Sequence, residues 1–298
     1  QDRYLIPIRL RPDLVPSARF LVEQDLSLEA IRTGETEVRA IRHIHALLNA
    51  SGTVSVGFNS LRFEDEMLRF SFFRNLLTPY THQWENGCGR MDLLPMTAVY
   101  WLRESEAVEW PAGSEERPLT LEALDRTNDW TDDSESWNAI RRVKAMLHLA
   151  RGLARDGDAW TELREQFDKN IDRDRLSQLP GVEIGSERYP LALLIDGQFG
   201  PARRYHRPAL CVGMHRHYRN RSLWLTLDSA ELRGARRESV ARHTEVIARK
   251  FGVPTFLFPP DDDRLAGRDT QALSMARRNT QWLREHPDVL HEIAGHYL

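Results

Sequence analysis

The apolar run TVSVGF, at residues 53–58, constrains the fold of this chain more than any other feature. A helical pattern over residues 35–49 precedes it and ends at the sequence NASG, and a second helical pattern follows over residues 63–76. A short buried strand between two helices is typical of an α/β layer. Further helical patterns lie at about 91–103, 120–128 and 138–155, so we predict an α/β domain over residues 1–165.

The second part of the chain has a different sequence pattern. A polar segment that ends in Pro and Gly, residues 166–188, is predicted to be a linker. Residues 189–263 contain four short β runs separated by turn residues (LALLIDG, ALCVGMH, SLWLTLD and PTFLFPP), which is typical of a small antiparallel barrel. We expect a helix near 236–250 to interrupt this barrel, and a helical extension over residues 264–298.

Composition excludes several classes of protein. With 41% hydrophobic and 29% charged residues, the 298-residue chain has the composition of an ordinary soluble globular protein. No apolar run approaches the roughly 20 residues that a membrane helix needs, so we expect no membrane contact. The two cysteines, Cys88 and Cys211, are far apart and form no disulfide pattern, which favours a reducing cytoplasm.

The chain has a net charge of −3 but contains one strongly basic segment. From Gly197 to Leu227 the chain has six arginines, several aromatic residues and no acidic residue. Guanidinium groups bind phosphates, and exposed aromatic rings give bases a surface on which to stack. About half of the side chains of a barrel must point inward, so some of these residues are expected in the core. We predict nucleic-acid contact by a group within this segment: Arg203, Arg204, Tyr205, Arg216, Arg219 and Arg221.

A long stretch of the chain resembles a known family. The segment VGFNSLRFEDEMLRFSFFRNLLTPY, followed by CGRMDLL and VEWP, is similar to bacterial exonuclease I, of the DEDDh 3′→5′ exonuclease superfamily. The likeness continues, in order, through LTLEALDRTN, DGQFG and NTQWLREHPDVLHEI. The resemblance implies an α/β, RNase H-like exonuclease domain, an SH3-like barrel and the start of a helical domain, arranged around single-stranded DNA. It also makes Asn59 and Arg62 expected nucleic-acid contacts.

The same resemblance implies two divalent metal ions, held by clustered carboxylates, and a histidine that activates the attacking water. The Asp-x-Glu strand of the family should precede Gln1, so we expect the exonuclease domain to be incomplete at its N-terminus. The second-motif aspartate position is Glu64, and the histidine and aspartate positions of the third motif are Trp137 and Arg142. Tryptophan cannot act as a general base, and arginine cannot ligate a metal. We therefore predict an ion pair between Glu64 and Arg142 where a metal would sit. Asp92 matches a further acid of the family.

The orientation of Arg142 follows from the periodicity of the helix predicted at 138–155. An ideal helix places Ile140, Val143 and Leu147 on one apolar stripe and Arg141 on the polar face. Arg142 lies on neither, and lines up with a second apolar side that is expected to be half-buried.

Three functions remain open at this point. The sequence favours a catalytically impaired relative of exonuclease I that binds single-stranded DNA or RNA without a cofactor, in contact with the tail of single-strand binding protein or within a larger complex. The first alternative is an active 3′→5′ exonuclease that uses Mg²⁺ or Mn²⁺, with Glu64 as a ligand and substitute carboxylates from Asp132, Asp133 and Glu135. The second is a protein-interaction subunit without nucleic-acid contact.

Overall fold

The computed structural model describes residues 4–113, 116–134, 136–265, 267 and 269–298. The helices are, in chain order, α1 (Ala18–Glu23), α2 (Leu28–Thr33), α3 (Glu37–Leu48), α4 (Glu64–Arg74), α5 (Leu93–Leu102), α6 (Leu121–Thr127), α7 (Ala139–Leu153), α8 (Gly157–Glu165), α9 (Lys169–Gln178), α10 (Val240–His243), α11 (Thr270–Glu285) and α12 (Pro287–Tyr297). The strands are β1 (Val54–Gly57), β2 (Gly89–Asp92), β3 (Gly181–Ile184), β4 (Glu187–Ile195), β5 (His206–Met214), β6 (Arg221–Thr226), β7 (Val246–Lys250) and β8 (Phe256–Phe258).

These elements form two compact units. The first consists of Gln1–Leu93, Val108–Pro111 and Thr120–Arg155, and the second of Leu94–Ala107, Ala112–Leu119 and Asp156–Leu298. No described helix is both long enough and apolar enough to span a membrane.

The first unit confirms the α/β pattern predicted from the TVSVGF run. β1 pairs in parallel with β2, with Val54 opposite Gly89 and Gly57 opposite Asp92. The helices predicted before and after this run are α3 and α4, and the patterns near 120–128 and 138–155 are α6 and α7. The strand β2 was missed because its four residues, GRMD, are too short to show a periodicity.

Polar side chains cap the start of α6 and of α7 in the first unit. The Thr120 side chain accepts a hydrogen bond from the amide of Ala123 at 3.1 Å and starts α6. The Asn138 side chain accepts from the amide of Arg141 at 3.0 Å and starts α7. Each such cap stabilises a helix by about 1 kcal/mol. Three acids in the first turn of α4 suit the positive end of that helix.

Helix α7 packs on a different side from the one that its apolar stripe predicts. Ile140, Val143 and Leu147 are exposed, whereas Arg141 is only 5% exposed. The side of α7 that faces the core carries Ala145, Leu149, Gly152 and Leu153. The predicted polar orientation of Arg141 is therefore wrong, because a buried carboxylate partner holds this arginine inside.

The second unit contains an antiparallel sheet. Its strands follow the order β3-β4-β5-β6-β7, and β8 pairs with β4. Hydrophobic clusters pack against this sheet. One cluster includes Leu210, Leu223 and Leu225, and another includes Leu194 and Trp224. In the part of the chain that the structure describes, no pairing between β3 and β7 closes the sheet, so the predicted closed barrel is not seen.

Two predictions for the second unit are wrong in their secondary structure. The segment predicted as a linker contains α9 and β3, because Asp168 caps α9 and Asp172 within that helix is buried against Arg249. The helix expected near 236–250 is only the four-residue α10, followed by β7. The β-branched residues Val246 and Ile247 pair with β6, which overrides the helical pattern. The segment after residue 264, predicted to be helical, contains α11 and α12.

Candidate functional site

A cavity of about 450 Å³ in the first unit brings together three of the four candidate catalytic positions predicted from the sequence. Its lining includes residues of β1, β2, α4, α6 and α7. Glu64 begins α4, Trp137 precedes the N-cap of α7, and Arg142 lies in the first turn of α7. All three line the cavity. The structure thus brings the second-motif position together with both third-motif positions.

Glu64 and Arg142 both have exposed side chains. Among the residues that the structure describes, neither has an ion-pair partner within 4.0 Å, so the ion pair predicted between them is not formed. The physical reason is that water solvates both groups, and an exposed ion pair gains only about 0–1 kcal/mol. The two charges remain separately available in one cavity.

Asp65, the middle acid of the EDE sequence, is the buried one. It is paired with the guanidinium of Arg90, and the His82 Nε2 lies 3.4 Å from its Oδ1 atom. Gln83 donates to its second oxygen at 3.3 Å. Burial alone would raise the pKa of this carboxyl, but the hydrogen bond from His82 and the positive charge of Arg90 hold it below its ordinary value. Sequence reasoning missed this network because no periodicity links residues 65, 82 and 90.

Asp92, which matched an acid of the family, supports a loop of the cavity. It is 2% exposed, and its carboxylate accepts hydrogen bonds from the amides of Asn59 at 2.7 Å and Leu61 at 3.2 Å. Asn59 adopts a left-handed conformation, with φ of 59°, which these bonds stabilise. Arg62, in the same loop, has an exposed side chain. The geometry gives Asp92 a structural role in shaping the segment between β1 and α4.

The donor groups of the cavity do not fit a pair of divalent ions. Such ions need several carboxylates, whereas Asp65 is already committed to Arg90 and Glu64 has the permanent cation of Arg142 in the same cavity. Within residues 4–113, 116–134, 136–265, 267 and 269–298, no group of three or more His, Cys, Asp and Glu side chains is arranged to hold a metal.

The substitute carboxylates considered for an active enzyme have other contacts. Asp133 is paired with Arg141, and Asp132 accepts a hydrogen bond from the amide of Ser134 at 2.8 Å. Neither acid is among the described residues that line the cavity. Glu135 lies outside the described residues.

Trp137 is held in place by the buried arginine next to the cavity. The guanidinium of Arg141 lies 5.2 Å from the centre of the Trp137 ring. Arg141 itself donates to Asp125 at 3.0 Å and to Thr131 at 2.7 Å, and Asp125 is fully buried. A cation over an indole face is a favourable contact. The network therefore orients the aromatic ring that replaces the expected histidine.

An exposed aromatic surface near α4 was also missed by sequence reasoning. The guanidinium of Arg69 lies 4.4 Å from the ring centre of Phe70 and 5.5 Å from that of Tyr80, and it donates to the Tyr80 hydroxyl at 2.8 Å. Phe63, Phe73 and Trp84, from the same part of the chain, have exposed side chains. Exposed rings beside an arginine are typical of surfaces that stack nucleobases. The signal was present in the sequence RFEDEMLRFSFFRNLLTPY, read only for its acids.

Part of the basic segment of the second unit is engaged in internal contacts. Arg203 pairs with Asp228 at 3.0 Å, and Arg204 donates to the carbonyl of Gly267 at 2.6 Å. Tyr205 is fully buried, and its hydroxyl donates to a backbone carbonyl at 3.2 Å and accepts from a backbone amide at 3.1 Å. Base stacking on Tyr205 is excluded in this fold, because its ring has no exposed face.

Arg207 of this segment is buried in β5, and the last three arginines lie at the turn between β5 and β6. Arg216 and Arg219 have exposed side chains, and the guanidinium of Arg221 lies 4.9 Å from the ring centre of Tyr218. Tyr218 is 54% exposed. The hairpin tip, residues 215–221, therefore presents positive charge together with an accessible aromatic ring.

Comparison with known proteins identifies relatives of this chain. No protein-family model matches it. Exodeoxyribonuclease I of Escherichia coli (strain K12) is 35% identical over 125 residues, which are 41% of this chain and 26% of the relative. Exodeoxyribonuclease I of Buchnera aphidicola subsp. Acyrthosiphon pisum is 26% identical over 200 residues, which are 66% of this chain and 46% of the relative. The matched segments thus make up less than half of either relative.

Solved structures show the same fold. The zinc-bound form of the E. coli ExoI–ssDNA complex matches with a TM-score of 0.76 at 22% identity, over 97% of this chain and 64% of that chain. An ExoI/SSB-Ct complex matches with a TM-score of 0.74 at 23% identity, over 96% of this chain and 64% of that chain. Over the matched segments this chain is similar in sequence to exodeoxyribonucleases I, and it shares the fold of the solved ExoI structures.

Proposed function

We propose that this chain is an exonuclease I-like protein that binds single-stranded nucleic acid, DNA or RNA, and whose nuclease cavity is catalytically impaired. The observation that carries the proposal is the convergence of Glu64, Trp137 and Arg142 on one cavity. The relatives are exodeoxyribonucleases, and one of the matching structures is a complex with single-stranded DNA, which supports the class of ligand.

Catalytic impairment is inferred from the chemistry of these side chains. Metal-assisted hydrolysis of a phosphodiester needs carboxylates around the ions and a base that takes a proton from the attacking water. The Trp137 indole has no basic nitrogen, and the Arg142 guanidinium carries a charge that opposes a metal ion. The same cavity in an active enzyme would need Mg²⁺ or Mn²⁺, with Glu64 as one ligand.

Two exposed surfaces support binding. In the first unit, Phe70 and Tyr80 flank the guanidinium of Arg69. In the second unit, the hairpin tip at residues 215–221 combines arginines with the Tyr218 ring. Each base stacked on an aromatic ring contributes about 1–3 kcal/mol, and this contact tolerates any base. We therefore infer binding with little sequence preference.

A second role, in protein interaction, has support in the second unit. A cavity of about 390 Å³ there is lined by apolar residues, by Arg277 and Arg284 of α11, and by the polar residues Asp261, Thr280 and Gln281. Apolar walls beside two guanidiniums suit an acidic peptide with an apolar end, and one matching structure is a complex with SSB-Ct. We infer that the tail of single-strand binding protein is a second partner and that the sheet of this unit is the counterpart of the family's SH3-like barrel. Both partners imply action in the cytoplasm.

The proposal is tested by measuring hydrolysis and binding of single-stranded DNA separately. Single-stranded DNA labelled at its 5′ end is incubated with the protein and Mg²⁺, and a salt series of gel shifts is run in parallel. We expect salt-sensitive retention of intact strands, because phosphate contacts release counterions. Processive loss of 3′ nucleotides would overturn the impairment. Absence of any shift at low salt would overturn nucleic-acid binding and favour the protein-interaction role alone.

A gain-of-function variant tests the cavity itself. Trp137→His combined with Arg142→Asp removes the cation and supplies a base and a carboxylate. We expect this double variant to bind Mn²⁺ more tightly than the unmodified protein, measured by calorimetry. Equal Mn²⁺ affinity in the two proteins would contradict the assignment of these two positions to the third motif.

A further inference from the structure

A surface cleft of about 430 Å³ in the second unit brings three arginines together. Arg277 and Arg278 lie in α11, and Arg233 belongs to the 3₁₀ helix Ala230–Gly234. The rest of the described lining is Gln281, Trp282 and Glu285. Three guanidiniums and one carboxylate give this lining a net charge of +2, so the cleft complements an anion.

Arg233 is positioned by a buried amide. Its Nε donates to the Oδ1 atom of Asn279 at 3.1 Å. Asn279 is fully buried, and its side-chain nitrogen donates to the carbonyls of Leu227 at 2.9 Å and Ser229 at 2.7 Å. Within the part of the chain that the structure describes, the two terminal nitrogens of Arg233 have no partner. They are available for the paired hydrogen bonds with which a guanidinium binds a phosphate.

The two arginines of α11 are not needed by the fold. Arg277 and Arg278 have exposed side chains, and neither has an ion-pair partner within 4.0 Å among the described residues. A terminal nitrogen of Arg278 lies 3.7 Å from the Sδ atom of Met275, which is a weak contact. Glu285, the one acid of the described lining, accepts from Gln281 at 2.8 Å rather than from an arginine. The buried side of α11 carries Ala276, Asn279 and Leu283.

Trp282 forms an aromatic wall of the cleft. It is half-buried and packs against the hydrophobic cluster that contains Leu210 and Leu223. Its ring also stacks on His286, with the ring centres 4.7 Å apart and the planes inclined by 25°. These contacts hold the indole in place at the edge of the cleft. A ligand therefore meets a fixed aromatic surface beside three guanidiniums.

Linked phosphates complement this arrangement better than isolated anions do. Three guanidinium forks in a cleft of this size call for several phosphates close together. In a nucleoside triphosphate, neighbouring phosphates share one bridging oxygen, whereas in a single strand a sugar separates each phosphate from the next. The cleft also falls within the roughly 300–1,000 Å³ of small-molecule sites.

We propose that this cleft binds a chain of linked phosphates, with the nucleoside of a nucleoside triphosphate packed against Trp282. The guanidiniums of Arg233, Arg277 and Arg278 hold the phosphates and supply the counter-charge, so no divalent ion is needed. The site goes beyond the proposed function, because none of its described residues lines the cavity of the first unit or belongs to the hairpin tip at residues 215–221.

Three residues separate this site from the cavity assigned to the tail of single-strand binding protein. Arg277 and Gln281 line both places. Arg233, Arg278 and Trp282 line the cleft and are not among the described residues of the other cavity. Substitutions at these three positions therefore report on the cleft.

Isothermal titration calorimetry of ATP, ADP, AMP and adenosine, at low salt and in EDTA, tests the requirement for linked phosphates. We expect affinity to rise with each added phosphate and adenosine to give no measurable binding. Sodium tripolyphosphate distinguishes the two sources of linked phosphates, and ATP should bind more tightly because it alone contacts Trp282. Trp282→Leu should remove this advantage and leave tripolyphosphate binding unchanged. Equal affinity of the unmodified protein for ATP and tripolyphosphate would overturn the role of Trp282.

Arginine variants test the phosphate contacts. Arg278→Gln should weaken ATP binding about tenfold, and Arg278→Gln combined with Arg233→Gln about a hundredfold, which is the loss of one charge-assisted contact each. Arg233→Lys keeps the charge without the fork and should recover only part of the loss. The matched control is Arg164→Gln, an exposed arginine of α8 in the same unit, which should bind ATP within about twofold of the unmodified protein.

Three results would overturn the site itself: equal affinity for AMP and ATP, equal losses in Arg278→Gln and Arg164→Gln, or full displacement of ATP by a thymidine oligonucleotide without terminal phosphates. The last result would make the cleft part of a surface that binds single strands. Failure of the proposed function is distinct, because no single strand would then bind at low salt while ATP binding would be unchanged.

Discussion

Arg141 and Arg142 are neighbours in the sequence with opposite roles in the structure, and their contrast gives the sharpest test of the fold. Arg141 is 5% exposed and pairs with the fully buried Asp125 at 3.0 Å. Arg142 is exposed and has no side-chain partner among the described residues. Replacing each arginine by methionine keeps the helix propensity and an unbranched apolar stem while removing the charge.

The expected magnitudes follow from what each substitution leaves behind. Arg141→Met leaves the Asp125 carboxylate buried, with the Thr131 hydroxyl at 2.6 Å as its remaining described partner. An uncompensated buried charge costs about 3–5 kcal/mol. The contact of Arg141 with Asp133 adds little, because Asp133 is 55% exposed. Arg142→Met should change the free energy of unfolding by less than about 0.5 kcal/mol, as for an ordinary surface site.

Hydrogen exchange measured by mass spectrometry is the suitable assay, because the chain has two compact units and a single unfolding midpoint would mix them. In Arg141→Met, the free energy of opening measured for peptides of α6 and α7 should fall by about 3–5 kcal/mol. In Arg142→Met it should not fall. Adding Asp125→Leu to Arg141→Met should recover much of the loss, because no charge is then left buried. A loss below about 1 kcal/mol in Arg141→Met, or a larger loss in Arg142→Met, would refute the assignment of buried and exposed roles.

Three further predictions concern other buried polar groups. Tyr205→Phe should cost about 1–3 kcal/mol of stability and leave single-strand affinity unchanged, because its hydroxyl joins two backbone groups and its ring is buried; weaker binding without loss of stability would contradict this. His82 and Arg90 hold the pKa of the Asp65 carboxyl below its ordinary 3.8 despite burial. The ionised carboxylate therefore stabilises the fold fully above pH 3.8. This stabilisation is lost as the pH falls through the lower pKa of the folded state. Asp65→Asn should therefore flatten the acid side of a plot of the hydrogen-exchange protection of α4 peptides against pH, and an unchanged plot would count against the network. Burial raises the pKa of the Cys211 thiol to about 11, so an aromatic disulfide reagent at about pH 8 should modify it only after denaturation, and rapid reaction of the native protein would be inconsistent with its burial.

Much of the fold could be predicted because local patterns and long-range packing agree. The helix before TVSVGF ends where the sequence NASG predicts, and the four β runs of the second unit became β4, β5, β6 and β8. The errors occur where a distant partner decides the conformation. Asp172 lies in a polar segment that resembled a linker, yet its carboxylate accepts from Arg249 at 2.5 Å and from the Gly252 amide at 2.8 Å. A contact across 77 residues leaves no periodic signal in the sequence.

The candidate site, like the fold, was predicted correctly in some parts and wrongly in others. Glu64, Trp137 and Arg142 were predicted from the resemblance to the family, and the fold brings all three to one cavity. The basic segment was misjudged because its neutralising acids lie outside it. Asp228, just after the run, and Glu245 both pair with the buried Arg207. An acid-free stretch of sequence is therefore not an acid-free surface.

The exposure of Arg142 separates the chemistry of the cavity from the stability of the fold. Because its side chain is exposed and makes no described hydrogen bond or ion pair, an aspartate at the same position would leave no buried partner unpaired. The fold therefore does not require a cation there, and stability gives no reason for the arginine. Replacing Arg141, one residue earlier, costs far more stability, because the buried Asp125 carboxylate would lose its ion-pair partner. A charge that the fold does not need, placed in a cavity beside an oriented tryptophan, is best explained by the ligand that the cavity binds.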